Sequence, residues 1–368
     1  MLDRRGLLSV GINAAPLASL RTGVARYIAG LLSGLAQVEE ADLRWCALFA
    51  PPAVTRRRER LAEKAIRAAR SVARRLPGSY FLAQALRGAA LVRETRRGLS
   101  LYHETNNVAP PFGGRMVLTI HDLSTVLHAD LQDPVRVGHF APRIPRQARD
   151  AARVVTPSEA IAREVIEVLG VPRERVCAIP HGVDPAFRPD GPRARPVPRR
   201  YVLYLGALGP RKGLETLLDA FAALPAPIRR EHDLVLAGPQ DGIDPARLRG
   251  ATLLGYVPDA DLPALLRGAA VFCYPSRYEG FGLPVLEALA CGVPTVASDD
   301  PALVEVAAGR ALHAARGDAP ALAAALERAL DDEPLRAELS RQGPERASQF
   351  NWARTARAHV DVYRAAAG

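Results

Sequence analysis

The sequence predicts an α/β protein built from two doubly wound, parallel-sheet domains. Its 368 residues exceed the roughly 100–200 residues of one ordinary domain. Apolar strand-like runs alternate with helical patterns in each half of the chain, and a proline-rich segment separates the halves. We therefore expect one domain at 1–184, a linker at 185–200, a second domain at 201–350 and a last helix at 351–368 that crosses back onto the first domain.

The first domain is predicted from apolar runs that end in turn residues and are followed by amphipathic stretches. We expect its strands at residues 7–13, 44–50, 99–103, 116–121 and 153–157. We expect its helices at residues 24–37, 134–150 and 158–169. This alternation is typical of a parallel sheet that is covered by helices.

The second domain repeats this alternation after the linker. The linker contains five prolines and no apolar periodicity, so it suits neither a helix interior nor a central strand. Beyond it we expect strands at residues 201–206, 234–238, 252–255 and 271–275, with a helix at 214–224. After residues 294–297 the chain becomes rich in helix formers, which predicts helices at 319–330, 334–350 and 352–367.

The composition limits the class of protein. With 48% hydrophobic and 24% charged residues, the chain fits a globular protein and excludes intrinsic disorder. The four cysteines are far apart in the sequence, so no metal-ligand pair and no C-x-x-C motif is present. No apolar run approaches the roughly 18–20 residues of a membrane span, and we recognise no signal peptide. We expect a reduced, cytoplasmic protein.

A loop between a buried strand and a helix carries the strongest chemical signal. It runs from Tyr274 as YPSRYEGFGLPVLE. Gly280 and Gly282 allow the backbone to approach a ligand closely, and Pro284 suits the first turn of a helix. The free N–H groups and the positive dipole end of such a helix favour an anion. A diphosphate is the expected ligand.

Two carboxylates bracket this loop, Glu279 before it and Glu287 on the following helix. Direct contact between a carboxylate and a phosphate is repulsive, so both side chains fit this place as acceptors of hydrogen bonds from hydroxyl groups. Sugar and ribose hydroxyls would supply these bonds. The alternative is that Glu279 is a solvated loop residue and that Glu287 only stabilises the first helical turn.

With these residues the sequence EGFGLPVLEALACGVP resembles the E-x7-E motif of the retaining GT-B glycosyltransferases, in the large mannosyl/glucosyl transferase family (glycosyltransferase group 1). The resemblance extends over almost the whole chain. It implies two facing Rossmann-like domains, with the nucleotide sugar held by the second domain and the acceptor by the first. It also implies that Glu279 binds donor-sugar hydroxyls with the backbone around Phe281 and Leu283, and that Glu287 holds the ribose.

Further positions are similar to that family. Gly206 begins the turn GALGPRKG, in which Arg211 and Lys212 are implied to grip the diphosphate. The family's usual arginine after this glycine is replaced here by Ala207. Gly23, in TGVARY, resembles one glycine of a loop near the phosphates, although two glycines are common there.

The first domain contributes His121-Asp122, directly after an apolar run and therefore at the carboxyl end of a strand, where open α/β sheets bind ligands. A lone histidine is usually structural. The resemblance implies that His121 faces the donor sugar and that Asp122 supports it, so the implied catalytic residues are His121, Asp122 and Glu279. Ser158, in TPSE, reads as a structural helix cap, and His181 is expected to close the first domain at the cleft edge.

The implied reaction is hexose transfer with retention of configuration, first from GDP-mannose, onto a glycan or lipid-linked glycan in surface-polysaccharide or glycolipid assembly. A same-fold transferase that uses a UDP-sugar and a sugar-nucleotide epimerase are the alternatives. We expect no metal: Asp259-Ala-Asp261 precedes a helical run and fits a helix cap. No G-x-G-x-x-G follows the first strand, which argues against a nicotinamide or flavin dehydrogenase.

The positive charge of the chain is concentrated in one segment. Residues 55–98 contain thirteen Arg or Lys and three Glu, an excess that equals the whole net charge of +10. Residues 55–75 interleave these charges with apolar positions, as in a basic amphipathic helix. The segment is either an ordinary surface helix or a peripheral contact with the anionic inner face of the cell membrane. A nucleic-acid-binding protein is the rival from another class, but aromatic residues make up only 5% of the chain and no zinc spacing is present.

Overall fold

The computed structural model describes residues 7–18, 22–51, 79–239 and 248–368. These residues form two domains, each built on a six-stranded parallel sheet. The first sheet contains β1 (Leu8–Asn13), β2 (Leu43–Leu48), β3 (Leu101–Glu104), β4 (Met116–Thr119), β5 (Arg153–Thr156) and β6 (Val176–Ala178). Its strand order is β2-β1-β3-β4-β5-β6.

The described helices of the first domain follow its strands. They are α1 (Gly23–Leu35), α2 (Ser79–Arg96), α3 (Ser124–Leu127), α4 (Pro134–Phe140), α5 (Ile144–Asp150) and α6 (Glu159–Leu169). The single helix predicted at 134–150 is wrong, because the chain breaks between α4 and α5. Pro142 would clash with the preceding turn of a continuous helix and has no N–H to donate. The basic helix predicted at 55–75 lies outside the described residues.

The second sheet contains β7 (Arg200–Leu205), β8 (His232–Ala237), β9 (Thr252–Gly255), β10 (Val271–Tyr274), β11 (Thr295–Ser298) and β12 (Leu312–Ala314), in the order β12-β11-β10-β7-β8-β9. Its helices are α7 (Leu214–Ala223), α8 (Ala226–Glu231), α9 (Leu262–Gly268), α10 (Leu283–Ala290), α11 (Pro301–Ala307), α12 (Ala319–Asp331) and α13 (Glu333–Ala347). Residues 185–199, between the sheets, lie outside any helix or strand.

Most predicted strands are present within two residues of their expected bounds, but β6, β11 and β12 were not assigned as strands from the sequence. Of these, β6 and β12 have three residues each and lie at an edge of their sheet. A strand this short carries too few positions for a recognisable period. The central strands β3, β4, β10 and β11 are buried along their whole length, as expected for a parallel sheet covered on both faces.

The last helix, α14 (Trp352–Ala367), packs against α1 and the first sheet. His359 Nε2 lies 2.9 Å from the hydroxyl of Tyr27, and the hydroxyl of Tyr363 lies 2.8 Å from His103 Nδ1. The chain therefore returns from the second domain to the first, which confirms the predicted architecture of two doubly wound domains joined by a crossing helix. In the part of the chain that the structure describes, no helix combines the length and apolar character needed to cross a bilayer.

Candidate functional site

The loops at the carboxyl ends of the two sheets meet in a cleft. Gly280, which follows β10, packs against the backbone carbonyl of His121, which follows β4, so closely that a Cβ at position 280 would overlap that oxygen. Ser158 Oγ donates to the Gly280 carbonyl oxygen over 2.8 Å. The Glu279–Gly282 loop of the second domain therefore sits directly on the first domain.

Tyr278 extends this contact. Its ring is buried in the core of the first domain, although its backbone belongs to the second. Its hydroxyl donates to Glu164 and accepts from the N–H of Leu123 over 3.0 Å. Because Tyr278 precedes Glu279, this anchored ring fixes the position of the carboxylate loop relative to His121.

Two cations and one carboxylate form the charged centre of the cleft. Arg211 and Lys212 lie on the turn after β7, and Lys212 Nζ makes a short hydrogen bond to Glu279 Oε1. Lys212 also donates to the hydroxyl of Tyr274 over 3.1 Å, and Arg211 NH1 lies 4.0 Å from Glu279 Oε2. Glu279 is buried with 8% of its surface exposed. The structure thus brings three of the predicted residues into contact.

These contacts determine the charge states of Glu279 and Lys212. Burial alone would raise the pKa of Glu279, but the charges of Lys212 and Arg211 lower that pKa below its ordinary value. Burial lowers the pKa of Lys212, and the charge of Glu279 opposes this effect. Two cations thus lie beside the Glu279 carboxylate, and the charge of a second carboxylate, Asp122, also acts on Arg211.

Asp300 holds the backbone of Glu279 through a hydrogen bond, a contact that was not predicted from the sequence. Its Oδ2 accepts from the N–H of Glu279 over 3.2 Å, and its Oδ1 accepts from Ala302 N at the start of α11. Burial, with the nearby charge of Glu279, raises the pKa of Asp300 to about 6. The sequence contained a signal that could have found it, since Asp-Pro before an apolar run marks a helix start.

Glu287 lies on α10 and pairs with a residue of the other domain. Its Oε1 forms an ion pair with Arg26 of α1, whose guanidinium also lies over the ring of Phe187 at 5.7 Å. Glu287 is 2% exposed, and its Oε2 has no hydrogen-bond partner. A buried carboxylate oxygen without a donor is costly, so this atom is available to a hydroxyl donor of a ligand. Arg26 stands in the predicted TGVARY loop, but its role was missed.

His121 is held on two sides. Its Nε2 lies 2.8 Å from the carbonyl oxygen of Thr105, to which it must donate, and its backbone N–H donates to Asn107 Oδ1. Burial lowers the pKa of His121, against the opposing effects of the Thr105 hydrogen bond and the Asp122 charge. The imidazole is therefore neutral near pH 7, and one tautomer is fixed by the Thr105 carbonyl.

Asp122 is placed differently from its expected role as a support of His121. Its Oδ1 accepts from both the N–H and the hydroxyl of Ser124 and so closes the turn that begins α3. Burial alone would raise its pKa, but the charge of Arg211 and the Ser124 bonds lower it. Asp122 therefore acts on His121 through its charge and not through a hydrogen bond. Its hydrogen bonds stabilise the turn at Ser124, and its charge also acts on Arg211.

The predicted glycines and apolar residues lie at the ends of strands and at the starts of helices. Gly23 begins α1 behind its cap Thr22, with open space where a Cβ would point. Gly206 ends β7, and Gly282, with φ of +98°, precedes Leu283 at the start of α10. Phe281 packs its ring against His181 and is buried, so only its backbone can face a ligand.

Three further residues were given structural roles from the sequence: Ser158, His181 and Asp261. Ser158 caps α6 as predicted, since its Oγ accepts from Ile161 N, and it also bridges the domains. His181 is buried between Tyr27 and Phe281. Asp261 is the N-cap residue of α9, as the sequence predicts, but its side chain makes no capping hydrogen bond.

Comparison with known families identifies both halves of the chain. Residues 191–346 match the family described as glycosyl transferases group 1, and residues 21–187 match glycosyltransferase family 4. The O-antigen chain mannosyltransferase B of Escherichia coli is 32% identical over 279 residues, which cover 71% of this chain and 73% of that protein. The serotype-specific mannosyltransferase WbdA of Escherichia coli is 29% identical over 68% of this chain, and the match spans 33% of its own length.

Solved structures show the same fold. Sucrose-phosphate synthase from Thermosynechococcus elongatus superposes with a TM-score of 0.68 at 22% sequence identity. The superposition covers 97% of this chain and 98% of that chain. Both domains and their mutual arrangement are therefore shared.

Proposed function

The chain belongs to the glycosyl transferases group 1 family and is a GT-B glycosyltransferase, and from this premise we propose that it transfers mannose from GDP-mannose to a glycan or lipid-linked glycan acceptor. The single observation that carries the site assignment is the cluster of Arg211, Lys212 and Glu279 that faces His121 across the cleft. Mannose is the first choice because the similar O-antigen enzymes are named as mannosyltransferases.

The cation cluster suits the leaving group of this reaction. Negative charge grows on the nucleoside diphosphate as its bond to the sugar breaks, and fixed cations stabilise that charge in the transition state. Arg211 and Lys212 are both held in the cleft, so they need little reorganisation. We propose that these cations replace a divalent metal and that transfer continues in the presence of EDTA.

The carboxylates suit the hydroxyl groups of the donor. Glu279 is ionised and buried beside the cations, and we propose that it also accepts hydrogen bonds from hydroxyl groups of the sugar. Glu287 offers the unpartnered Oε2, which fits a ribose hydroxyl. His121 stands on the opposite wall as a neutral imidazole, close to the place proposed for the sugar. We propose that the product keeps the anomeric configuration of the donor.

A thermal-shift panel tests the donor class. The protein is heated with GDP, UDP, ADP, dTDP or CMP in the presence of EDTA. A nucleotide at 100 times its dissociation constant stabilises the folded state by about 2.7 kcal/mol. We expect GDP to give the largest shift; a larger UDP shift would point to the alternative of a UDP-sugar donor.

Two variants make the panel specific. Glu287→Ala should abolish the nucleotide shift because it removes the proposed ribose acceptor. Glu338→Ala is the matched control, since Glu338 is an exposed helical glutamate whose Oε1 accepts from Gln342 Nε2 across one turn. If no nucleotide shifts the transition of the unmodified protein, the donor site is wrongly placed. Product analysis by NMR then separates a transferred glycoside, with its configuration, from an epimerised donor.

A peripheral contact with the membrane is a separate proposal for the lipid-linked acceptor. It is supported only by the basic sequence of residues 55–75, which lie outside the described residues. Each basic residue near an anionic surface adds about 1 kcal/mol. Changing Arg56, Arg57 and Arg58 to Glu should therefore weaken binding to anionic vesicles, and unchanged binding would remove this proposal.

A further inference from the structure

A second concave site lies on the opposite edge of the second sheet from the cleft. It is a cavity of about 320 Å³ next to Arg200, the first residue of β7, and next to the residues that immediately precede β10 and β11. The cleft residues follow the carboxyl ends of the same strands, so the sheet separates the two sites. We name it the arginine cavity after four of its lining residues: Arg193, Arg200, Arg267 and Arg336.

The charge of this cavity is unbalanced. Four guanidinium groups line it, and Glu333 is the one carboxylate among the lining residues. Within the described parts of the chain, none of the four arginines forms an ion pair. By contrast, the neighbouring Arg199 pairs with Asp233 over 2.7 Å, and Arg341, on the same helix as Arg336, pairs with Glu345. Like charges that converge without a counterion favour the binding of an anion.

Backbone contacts hold two of these side chains in place. Arg267 Nε donates to the carbonyl oxygen of Pro192 over 2.8 Å, and its NH1 donates to that of Arg188 over 3.2 Å. Arg336 NH1 donates to the carbonyl oxygen of Leu330. A carbonyl oxygen orients a guanidinium but does not neutralise it. The two charges are thus fixed in position and still available.

The linker is part of this arrangement. Gly191 adopts φ of +133°, and a Cβ there would lie 3.0 Å from the guanidinium carbon of Arg267. Glycine therefore allows the linker to lie against this cation. His232 also indicates that two of the arginine charges lie close together. It is the partner of Arg200 in the register between β7 and β8. Burial lowers the pKa of His232, and the charges of Arg200 and Arg336 both lower it further, so both charges act at one place.

We propose that the arginine cavity binds a small ligand through a phosphate or diphosphate group. Guanidinium groups match the oxygens of phosphate with paired hydrogen bonds, and several of them suit its double charge. A volume of about 320 Å³ is at the lower end for ligand pockets, which fits a small phosphorylated molecule or the headgroup of a phospholipid. This site is distinct from the donor site and does not depend on the proposed donor.

Pyrophosphate binding, measured by calorimetry without divalent metal, tests the proposal. The unmodified protein should bind two pyrophosphate ions, one in the cleft and one in the arginine cavity. Lys212→Met should remove the cleft site and leave the other. The double variant Arg200→Ala/Arg336→Ala should weaken cavity binding at least tenfold and leave glycosyl transfer intact. The control variant Arg199→Ala/Arg341→Ala removes two neighbouring arginines that are already paired, and it should bind like the unmodified protein.

A second arm identifies the source of the phosphate. Vesicles of phosphatidic acid in phosphatidylcholine are sedimented with each variant. Loss of vesicle binding in Arg200→Ala/Arg336→Ala, with no pyrophosphate in the cavity, supports a lipid headgroup. If the double variant misfolds, Arg193→Ala serves, because this side chain lines the cavity and is exposed on the linker. The proposal is overturned if Lys212→Met abolishes all pyrophosphate binding and no arginine variant alters binding to vesicles.

Discussion

Arg26 and Glu287 form an ion pair across the cleft, one from the first helix of the first domain and the other from the helix that follows the E-x7-E loop. The Arg26 side chain is 24% exposed and that of Glu287 only 3%. The pair therefore neutralises a buried carboxylate and joins the domains at the place proposed for the ribose. A bound ribose would have to share Glu287 with Arg26 or displace it.

Arg26→Ala should destabilise the protein. The substitution leaves Glu287 buried without its counterion, which we expect to cost about 3–5 kcal/mol at pH 7. Urea denaturation measures this difference, with Arg26→Lys as the charge-preserving control.

A double-mutant cycle assigns the effect to the pair. In a Glu287→Gln background, Arg26→Ala should cost much less than in the unmodified protein. Equal costs in both backgrounds would show that Arg26 stabilises the protein through Phe187 or other neighbours instead.

Gly280→Ala should strongly reduce transfer without unfolding the protein. The added Cβ meets the carbonyl oxygen of His121, so the two walls of the cleft must move apart. Displacements of about 1 Å at a reacting centre cost roughly a hundredfold in rate. We expect a loss of that size in kcat/KM, and a lower melting temperature, because overpacking at a buried site costs about 1–3 kcal/mol.

Gly138→Ala is the steric control for this experiment. Gly138 lies in α4 with no atom within 4 Å of an added Cβ, so its substitution should leave the rate unchanged. A Gly280→Ala enzyme as active as Gly138→Ala would mean that catalysis does not require the close approach at His121.

Much of this architecture was readable from the sequence because it depends on local patterns. The strand runs, the proline-rich linker and the Gly280–Gly282 loop predict two parallel sheets and an anion site between them. The sequence also placed Lys212 and Glu279 beside one cleft, but their direct hydrogen bond was not predicted.

The contacts between the domains were not readable in this way. Arg26 meets Glu287, and Glu305 meets the start of α6, only after both domains have folded and closed. No spacing in the sequence encodes the distance between two separately folded surfaces. The Asp300 support was missed for another reason, because its local helix-start signal says nothing about Glu279.

Glu305→Ala should lower transfer by weakening domain closure. The two carboxylate oxygens of Glu305, on α11, accept from the N–H groups of Glu159 and Ala160 at the start of α6 in the other domain, over 2.9 and 3.0 Å. Loss of a helix cap costs about 1 kcal/mol, or roughly fivefold in an equilibrium. We expect kcat/KM to fall about fivefold, with Glu305→Gln intermediate.

Asp332→Ala is the matched control, because it removes a helix cap within one domain. Asp332 accepts from Leu335 N at the start of α13, within one domain. Its removal should cost similar stability and leave transfer unchanged. If both variants reduce transfer equally, the Glu305 effect arises from general destabilisation and not from closure.

The crossing helix is fastened by hydrogen bonds whose directions are all fixed. His359 Nδ1 lies 2.7 Å from the Thr355 carbonyl oxygen and must donate to it, so His359 Nε2 accepts from Tyr27. The hydroxyl of Tyr27 then accepts from Thr119, and Thr119 in turn accepts from His103 Nε2. In this direction both imidazoles are neutral, because a protonated ring has no acceptor nitrogen.

Stability should therefore fall in mild acid. Burial lowers the pKa of His359 to about 4 from its ordinary value of 6.5, so the unfolded state binds the proton more tightly. The stabilisation is complete above pH 6.5 and is lost as the pH falls from there toward 4. Between pH 7 and pH 5 this one group should cost about 2 kcal/mol. Denaturation midpoints at both pH values should differ less for His359→Gln than for the unmodified protein. His128→Gln, outside this chain of bonds, should keep the full difference; an undiminished difference in His359→Gln would place the acid sensitivity elsewhere.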